Sequence, residues 1–211
     1  MIMTTIFDLF LHLDQHLVQW LEWMGPSLYL VLFAIIFAET GLVVTPFLPG
    51  DSLLFAAGAL TSVVGGLDVG VLLLSLTIAG ILGDAVNYHV GKSVGPSVFS
   101  SGSRIFKREH LIRTQAFYEK WGAFTIVAAR FAPIVRTFAP FIAGVAKMPY
   151  RRFLTFNVLG AVAWVFTFVL AGHFFGQAPV VKRNFQFVIL GIILISLMPF
   201  VFQMVQARLK K

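Results

Sequence analysis

An all-α integral membrane protein, a single membrane domain over residues 1–211, is the fold class this sequence predicts, and three observations predict it. Apolar residues make up 58% of the 211-residue chain and charged ones only 12%, against about 25% charge in soluble domains. Several apolar runs match the roughly 20 residues that a helix needs to cross a bilayer. Two further runs are interrupted by prolines and by buried-looking charges, which reads as helical hairpins rather than straight spans. The expected architecture is two opposed re-entrant helical hairpins in inverted repeat, about three transmembrane helices and an N-terminal amphipathic helix.

Residues 6–24 open the chain with Leu9, Leu13, Leu17, Trp20 and Met24 on one helical stripe and Asp8, Asp14, Gln15 and Glu22 elsewhere. That pattern fits a helix lying in the membrane interface, and equally a short helix packed on the bundle. Residues 27–60 would be roughly 50 Å long as one helix, against a hydrocarbon core of about 30 Å. Pro46, Pro49 and Gly50 are expected to break them into a first hairpin, because proline removes a backbone donor and pushes the preceding residue out of helical geometry. Residues 67–90 are long enough to span once. Residues 92–120 form a basic loop, with Lys92, Arg104, Lys107, Arg108, Arg113 and Lys120.

Residues 121–148 repeat the broken pattern, with Pro133 and Pro140 as the breaks. Both flanks of this run are basic, so the positive-inside bias keeps both on the cytoplasmic side and favours a second hairpin over a crossing. Residues 153–175 and 185–205 each span once, which leaves the C-terminus cytoplasmic. Laying Phe33–Gly50 on Phe124–Phe141 pairs Pro49 with Pro140 and sets Glu39 opposite Arg130, a weak internal repeat of the inverted kind. The first basic residue of the chain is Lys92, so the N-terminus lacks a signal-peptide pattern and no cleavage is expected.

Five ionisable residues fall inside apolar runs: Glu39, Asp51, Asp84, Arg130 and Arg136. Each costs about 2.5–3.5 kcal/mol at a helix centre if it faces lipid. They are therefore expected to face one another, backbone or water. One reading makes them buried ion pairs that hold the hairpins together. The sharper reading is proton-linked movement of an anion, with Arg130 and Arg136 holding a phosphate and Glu39, Asp51 and Asp84 exchanging protons. Asp84 shares a helix face with Tyr88, Gly91 and Gly95, as a pathway residue or as a polar anchor.

Other functions are disfavoured. The net charge of +7 lies in loops beside apolar spans, which is ordinary for a membrane protein and does not call for nucleic acid. The chain has no cysteine, hence no thiolate nucleophile or thiolate metal site. Gly50-Asp51-Ser52-Leu53 mimics the opening block of a lipase class but lacks a histidine in the matching context. His12 and His16 lack a third metal ligand, and no phosphate-binding loop is present. No enzyme activity, cofactor or metal is expected.

The ordered motifs resemble one family. Phe37-Ala-Glu39-Thr-Gly-Leu-Val-Val-Thr-Pro46-Phe-Leu-Pro49-Gly50-Asp51-Ser52-Leu-Leu is similar to the first signature of the DedA family, and Arg130-Phe-Ala-Pro133-Ile-Val-Arg136-Thr-Phe-Ala-Pro140-Phe-Ile-Ala-Gly144 to its second. Gly83-Asp84, Tyr88, Gly91-Lys92 and Gly95 follow the pattern between them, with lysine where arginine is frequent. Phe117–Gly122 and Asn157, Gly160 and Trp164 also fit.

The resemblance implies a multi-pass protein of the bacterial inner membrane with two opposed re-entrant hairpins, related to lipid scramblases of the VTT type. It also implies proton-motive-force-linked transport in envelope homeostasis, with undecaprenyl phosphate as a family substrate, and it carries functional roles onto Glu39, Asp51, Arg130 and Arg136. The expected function is thus a flippase of a lipid phosphate whose partners are membrane phospholipid, polyprenyl phosphate and protons, with a homo-oligomer left open. The alternative is a proton-coupled antiporter of small cations or drugs.

Overall fold

In a computed structural model, the residues described are 13–42, 50–63, 66–100, 124–192 and 194. All regular structure among them is helical: α1 Leu13–Met24, a 3-10 turn Gly25–Ser27, α2 Leu28–Gly41, α3 Gly50–Leu60, α4 Val69–Ser100, α5 Phe124–Ala129, α6 Pro133–Val145, α7 Tyr150–Phe175 and α8 Pro179–Arg183. Residues 185–192 are helical as well. Among the described residues, three stretches are long and apolar enough to cross a membrane: His16–Gly41, Val69–Val94 and Tyr150–Phe175.

Two of these stretches match the expected spans at 67–90 and 153–175. The third, His16–Gly41, contains a turn: α1 ends at Met24, Gly25 takes the left-handed region at φ 53°, and the 3-10 turn Gly25–Ser27, which holds Pro26, leads into α2 at Leu28. The chain therefore turns between the segments read from the sequence as 6–24 and 27–60. The expected span at 185–205 is helical as far as residue 192, and most of its remainder lies outside the described residues, as do 6–12, Pro46, Pro49 and 101–120. One correction concerns the basic loop: α4 runs on to Ser100, so residues 92–100 are helix. Asp68 starts this helix by accepting the Val71 N–H on its Oδ1 at 2.8 Å, an N-cap of the usual kind.

The chain divides into two compact units. The first draws on Met1–Ile35, Leu48–Leu76 and Trp164–Lys211, the second on Ile36–Phe47 and Thr77–Ala163. In the first unit every residue of α3 is buried, as expected for a helix that is apolar all round. Its 11 residues give a length of about 16 Å, roughly half the hydrocarbon core. Leu17, Leu28, Leu32, Trp164, Val169 and Ile189 belong to the same buried set, and Phe55 meets Phe185 at a ring separation of 6.0 Å.

The second unit is built on Tyr88, Ile126, Ala129, Ala139, Ala143, Ala146, Met148 and Phe153. Tyr88 stacks on Phe153 at 4.5 Å and donates its hydroxyl proton to the Met148 carbonyl. α5 stops at Ala129 because Ala132, which precedes Pro133, is extended at φ −123° and ψ 102°, the conformation that proline imposes on its neighbour. Pro133 therefore breaks the segment as expected. Pro140 does not: it sits inside α6. Proline removes only one helical hydrogen bond, and an intramembrane helix tolerates that loss where neighbouring groups re-satisfy the backbone. α6 ends in a Schellman motif, with Met148 N–H on Ala143 O at 3.0 Å and Lys147 N–H on Gly144 O at 2.9 Å. Lys147 occupies the left-handed position at φ 55°.

Each unit contains the same helix clasp. In the first, a Cβ on Gly58 would strike the Val169 carbonyl and one on Gly172 would strike the Phe55 carbonyl. In the second, a Cβ on Gly144 would strike the Tyr88 carbonyl and one on Gly91 the Phe141 carbonyl. Phe55 and Gly58 thus correspond to Phe141 and Gly144. This replaces the register that paired Pro49 with Pro140, and it sets Asp51 in the place of Thr137.

Candidate functional site

The second unit gathers four of the five intramembrane charges. Arg130 lies in the turn between α5 and α6, where its side chain turns toward α4 and α7. Its Nη2 donates to Asp84 Oδ2 at 2.5 Å, to Asn157 Oδ1 at 2.5 Å and to Gly80 O at 3.2 Å. Asn157 is itself fixed, because its Nδ2 donates to Ile81 O at 3.0 Å, which leaves Oδ1 facing the guanidinium. Gly160, one turn further along α7, makes room: a Cβ there would lie 3.1 Å from Arg130 Cδ and 3.2 Å from Val127 Cα.

Arg136, in the first turn of α6, forms an ion pair through its Nη2 with Glu39 Oε1 at the end of α2. Exposure is 1% for Glu39, 3% for Asp84, 3% for Arg130 and 5% for Arg136, so both pairs are desolvated. Removing one member of such a pair leaves the other charge buried and costs about 3–5 kcal/mol.

The helix α4 supports both arms of this arrangement. Asn87 Nδ2 donates to Thr40 O at 3.2 Å and to Thr137 O at 2.7 Å, next in sequence to Glu39 and Arg136 respectively. Gly83 admits the end of α2, since a Cβ there would meet the Thr40 side chain and the Phe37 carbonyl. Val86, Val90 and Val94 are exposed, whereas Gly83, Asn87 and Gly91 are buried, so the helix turns an apolar face outward and a small and polar face inward.

Asp51 belongs to the first unit. It stands in the first turn of α3, where the helix dipole favours a carboxylate, and its Oδ1 accepts the Trp164 indole N–H at 2.8 Å. Gly50 is the first residue of α3. Ser52 is wholly buried in that helix. Among the described residues no group of three or more His, Cys, Asp or Glu side chains is placed to hold a metal.

The structure therefore brings Glu39 to Arg136 and Asp84 to Arg130. It makes Asn157 and Trp164, which the sequence offered only through the family pattern, partners of Arg130 and Asp51, and it adds Asn87, which holds the backbone next to Glu39 and Arg136. A search for ionisable groups passes over neutral amides. The available signal was an uncharged polar residue in an apolar run, one turn beyond Gly83 in the case of Asn87.

These observations define a helical membrane protein with a paired-charge centre beside a broken helix. Residues 48–174 match the model of the VTT domain. The chain is 50% identical to protein DedA of Escherichia coli K12, over 96% of this chain and 94% of that protein. It is 45% identical to an uncharacterized membrane protein of Mycobacterium tuberculosis, over 83% of this chain and 78% of that one. To the inner membrane protein YghB of E. coli K12 it is 36% identical, over 74% and 71%. The chain belongs to the DedA family of membrane proteins. No solved structure matches it.

Proposed function

We propose that the protein is a proton-linked translocase of a lipid phosphate, of the polyprenyl phosphate class that includes undecaprenyl phosphate, in a bacterial inner membrane with its C-terminus on the cytoplasmic side. The observation that carries this reading is the pair of desolvated carboxylate–guanidinium contacts, Glu39 with Arg136 and Asp84 with Arg130, beside the helix break before Pro133. A proton taken up by Glu39 or Asp84 removes the counter-charge and leaves a guanidinium that pairs with phosphate through charge-assisted hydrogen bonds. Release of the phosphate lets the ion pair re-form and returns the proton. Carboxylate and phosphate then compete for the same arginine, so that proton uptake by the carboxylate favours phosphate binding and couples the two movements.

In this reading Asp51 is a further proton acceptor, and the two broken segments enter the membrane from opposite faces. The length of α3, about half of the hydrocarbon core, supports a segment that enters the membrane without crossing it. The test is reconstitution. Protein in vesicles should move a polyprenyl phosphate between leaflets, and Arg136→Ala and Glu39→Gln should abolish the movement. Equal activity in folded variants sinks the reading, and proton flux driven by soluble cations instead of the lipid replaces it with a cation antiporter.

A further inference from the structure

Asn87 is fully buried, and its orientation is unambiguous. Two carbonyl oxygens, Thr40 O and Thr137 O, face the same end of its amide, and only the NH2 end can satisfy both; the reverse setting would press Oδ1 against two acceptors. The result leaves Oδ1 buried and without a hydrogen-bond partner among the described residues. Buried polar groups are nearly always satisfied, and an exception calls for an explanation. At this position an apolar residue would avoid the unmet acceptor but would lose both donor contacts.

Those donor contacts tie together two separate elements. The carbonyl of Thr40 falls in the last turn of α2, where helix carbonyls have no intrahelical partner. Thr137 follows Arg136 in the first half of α6. One amide on α4 thus holds the backbone directly after Glu39 and the backbone directly after Arg136. The same helix fixes both approaches sterically, through Gly83 against Thr40 and Gly91 against the Phe141 carbonyl.

We propose that Asn87 is a positioning residue for the Glu39–Arg136 pair: its amide sets the end of α2 and the start of α6 in the register at which carboxylate and guanidinium meet. The inference deepens the proposed function, and only its consequence for transport rests on that reading. The positional part is tested without any substrate.

The experiment is a triple-mutant box on the full-length protein in nanodiscs, read by unfolding midpoint. Glu39→Gln, Arg136→Gln and the double variant give the coupling of the pair, first with Asn87 present and then with Asn87→Ala. The coupling should fall to less than half in the Asn87→Ala background, while the Asp84–Arg130 coupling, measured with Asp84→Asn and Arg130→Gln, stays unchanged. Undiminished Glu39–Arg136 coupling in Asn87→Ala overturns the inference and makes Asn87 an ordinary core residue. Should Asn87→Ala not fold, Asn87→Ser, which keeps one donor, decides alone: an intermediate coupling supports the inference and full coupling overturns it. Translocation of a polyprenyl phosphate by the same variant should fall at least tenfold. Lost coupling with unchanged translocation leaves the positioning role standing and counts against the pair as the coupling site.

Discussion

Gly144→Ala sets two effects of opposite sign against each other, and the structure decides between them. Replacing glycine by alanine inside a helix is intrinsically favourable by about 0.8–1.0 kcal/mol. At Gly144 the new methyl group would collide with the Tyr88 carbonyl and lie 2.8 Å from Lys92 N. Both are backbone atoms of α4, so no side chain can move aside and the two helices must separate. Overpacking of this kind costs about 1–3 kcal/mol, and a backbone clash belongs at the upper end, which leaves a net loss of about 1–2 kcal/mol.

Gly191 supplies the control, because a Cβ there meets nothing within 4 Å, and Gly191→Ala should keep the propensity gain. The assay is unfolding of the detergent-solubilised protein by denaturant titration, followed by circular dichroism. Gly144→Ala should unfold earlier than wild type and Gly191→Ala no earlier. A Gly144→Ala variant as stable as wild type would refute the clasp of α6 on α4, and with it the support proposed for Arg136.

Lys147→Gly should stabilise the protein by about 0.5–1 kcal/mol in the same titration, since the left-handed position costs a non-glycine residue about 1–2 kcal/mol and glycine returns part of that as chain entropy. Asp84→Asn should destabilise by about 3–5 kcal/mol, because it leaves the Arg130 charge buried without its counter-ion. Adding Arg130→Gln to it should recover part of the loss, which separates a charge effect from a packing effect. Asp68→Ala should cost about 1 kcal/mol, the value of a helix N-cap, with hydrogen exchange rising first at the amides of the first turn of α4.

The membrane class, two of the spans and the set of buried charges were legible because each rests on composition or on length. Leu72, Leu76 and Ala79 are buried and Leu74, Ile78 and Leu82 exposed on one helix, yet all are apolar, so sequence gives the span but not which face packs. The place of Pro140 inside a helix was not legible, because proline marks a candidate break and only the surrounding packing decides whether the helix stops. The pairing of the charges was not legible either. Glu39 meets Arg136 because Gly83, Asn87 and Gly91 fix where α2 and α6 dock on α4, and that register depends on glycines, which carry no side chain to read. The five charges were found because burial of charge is costly; Asn87 was missed because it carries no charge, and Asn157 entered only through the family pattern.

The most direct test of the account is a leaflet-resolved measurement of a fluorescent short-chain polyprenyl phosphate in proteoliposomes, with and without an imposed pH gradient. Wild-type protein should accelerate its movement, the gradient should shift its distribution between leaflets, and Arg136→Ala and Glu39→Gln should lose both effects. A distribution that ignores the gradient, or equal movement in vesicles with and without protein, contradicts it.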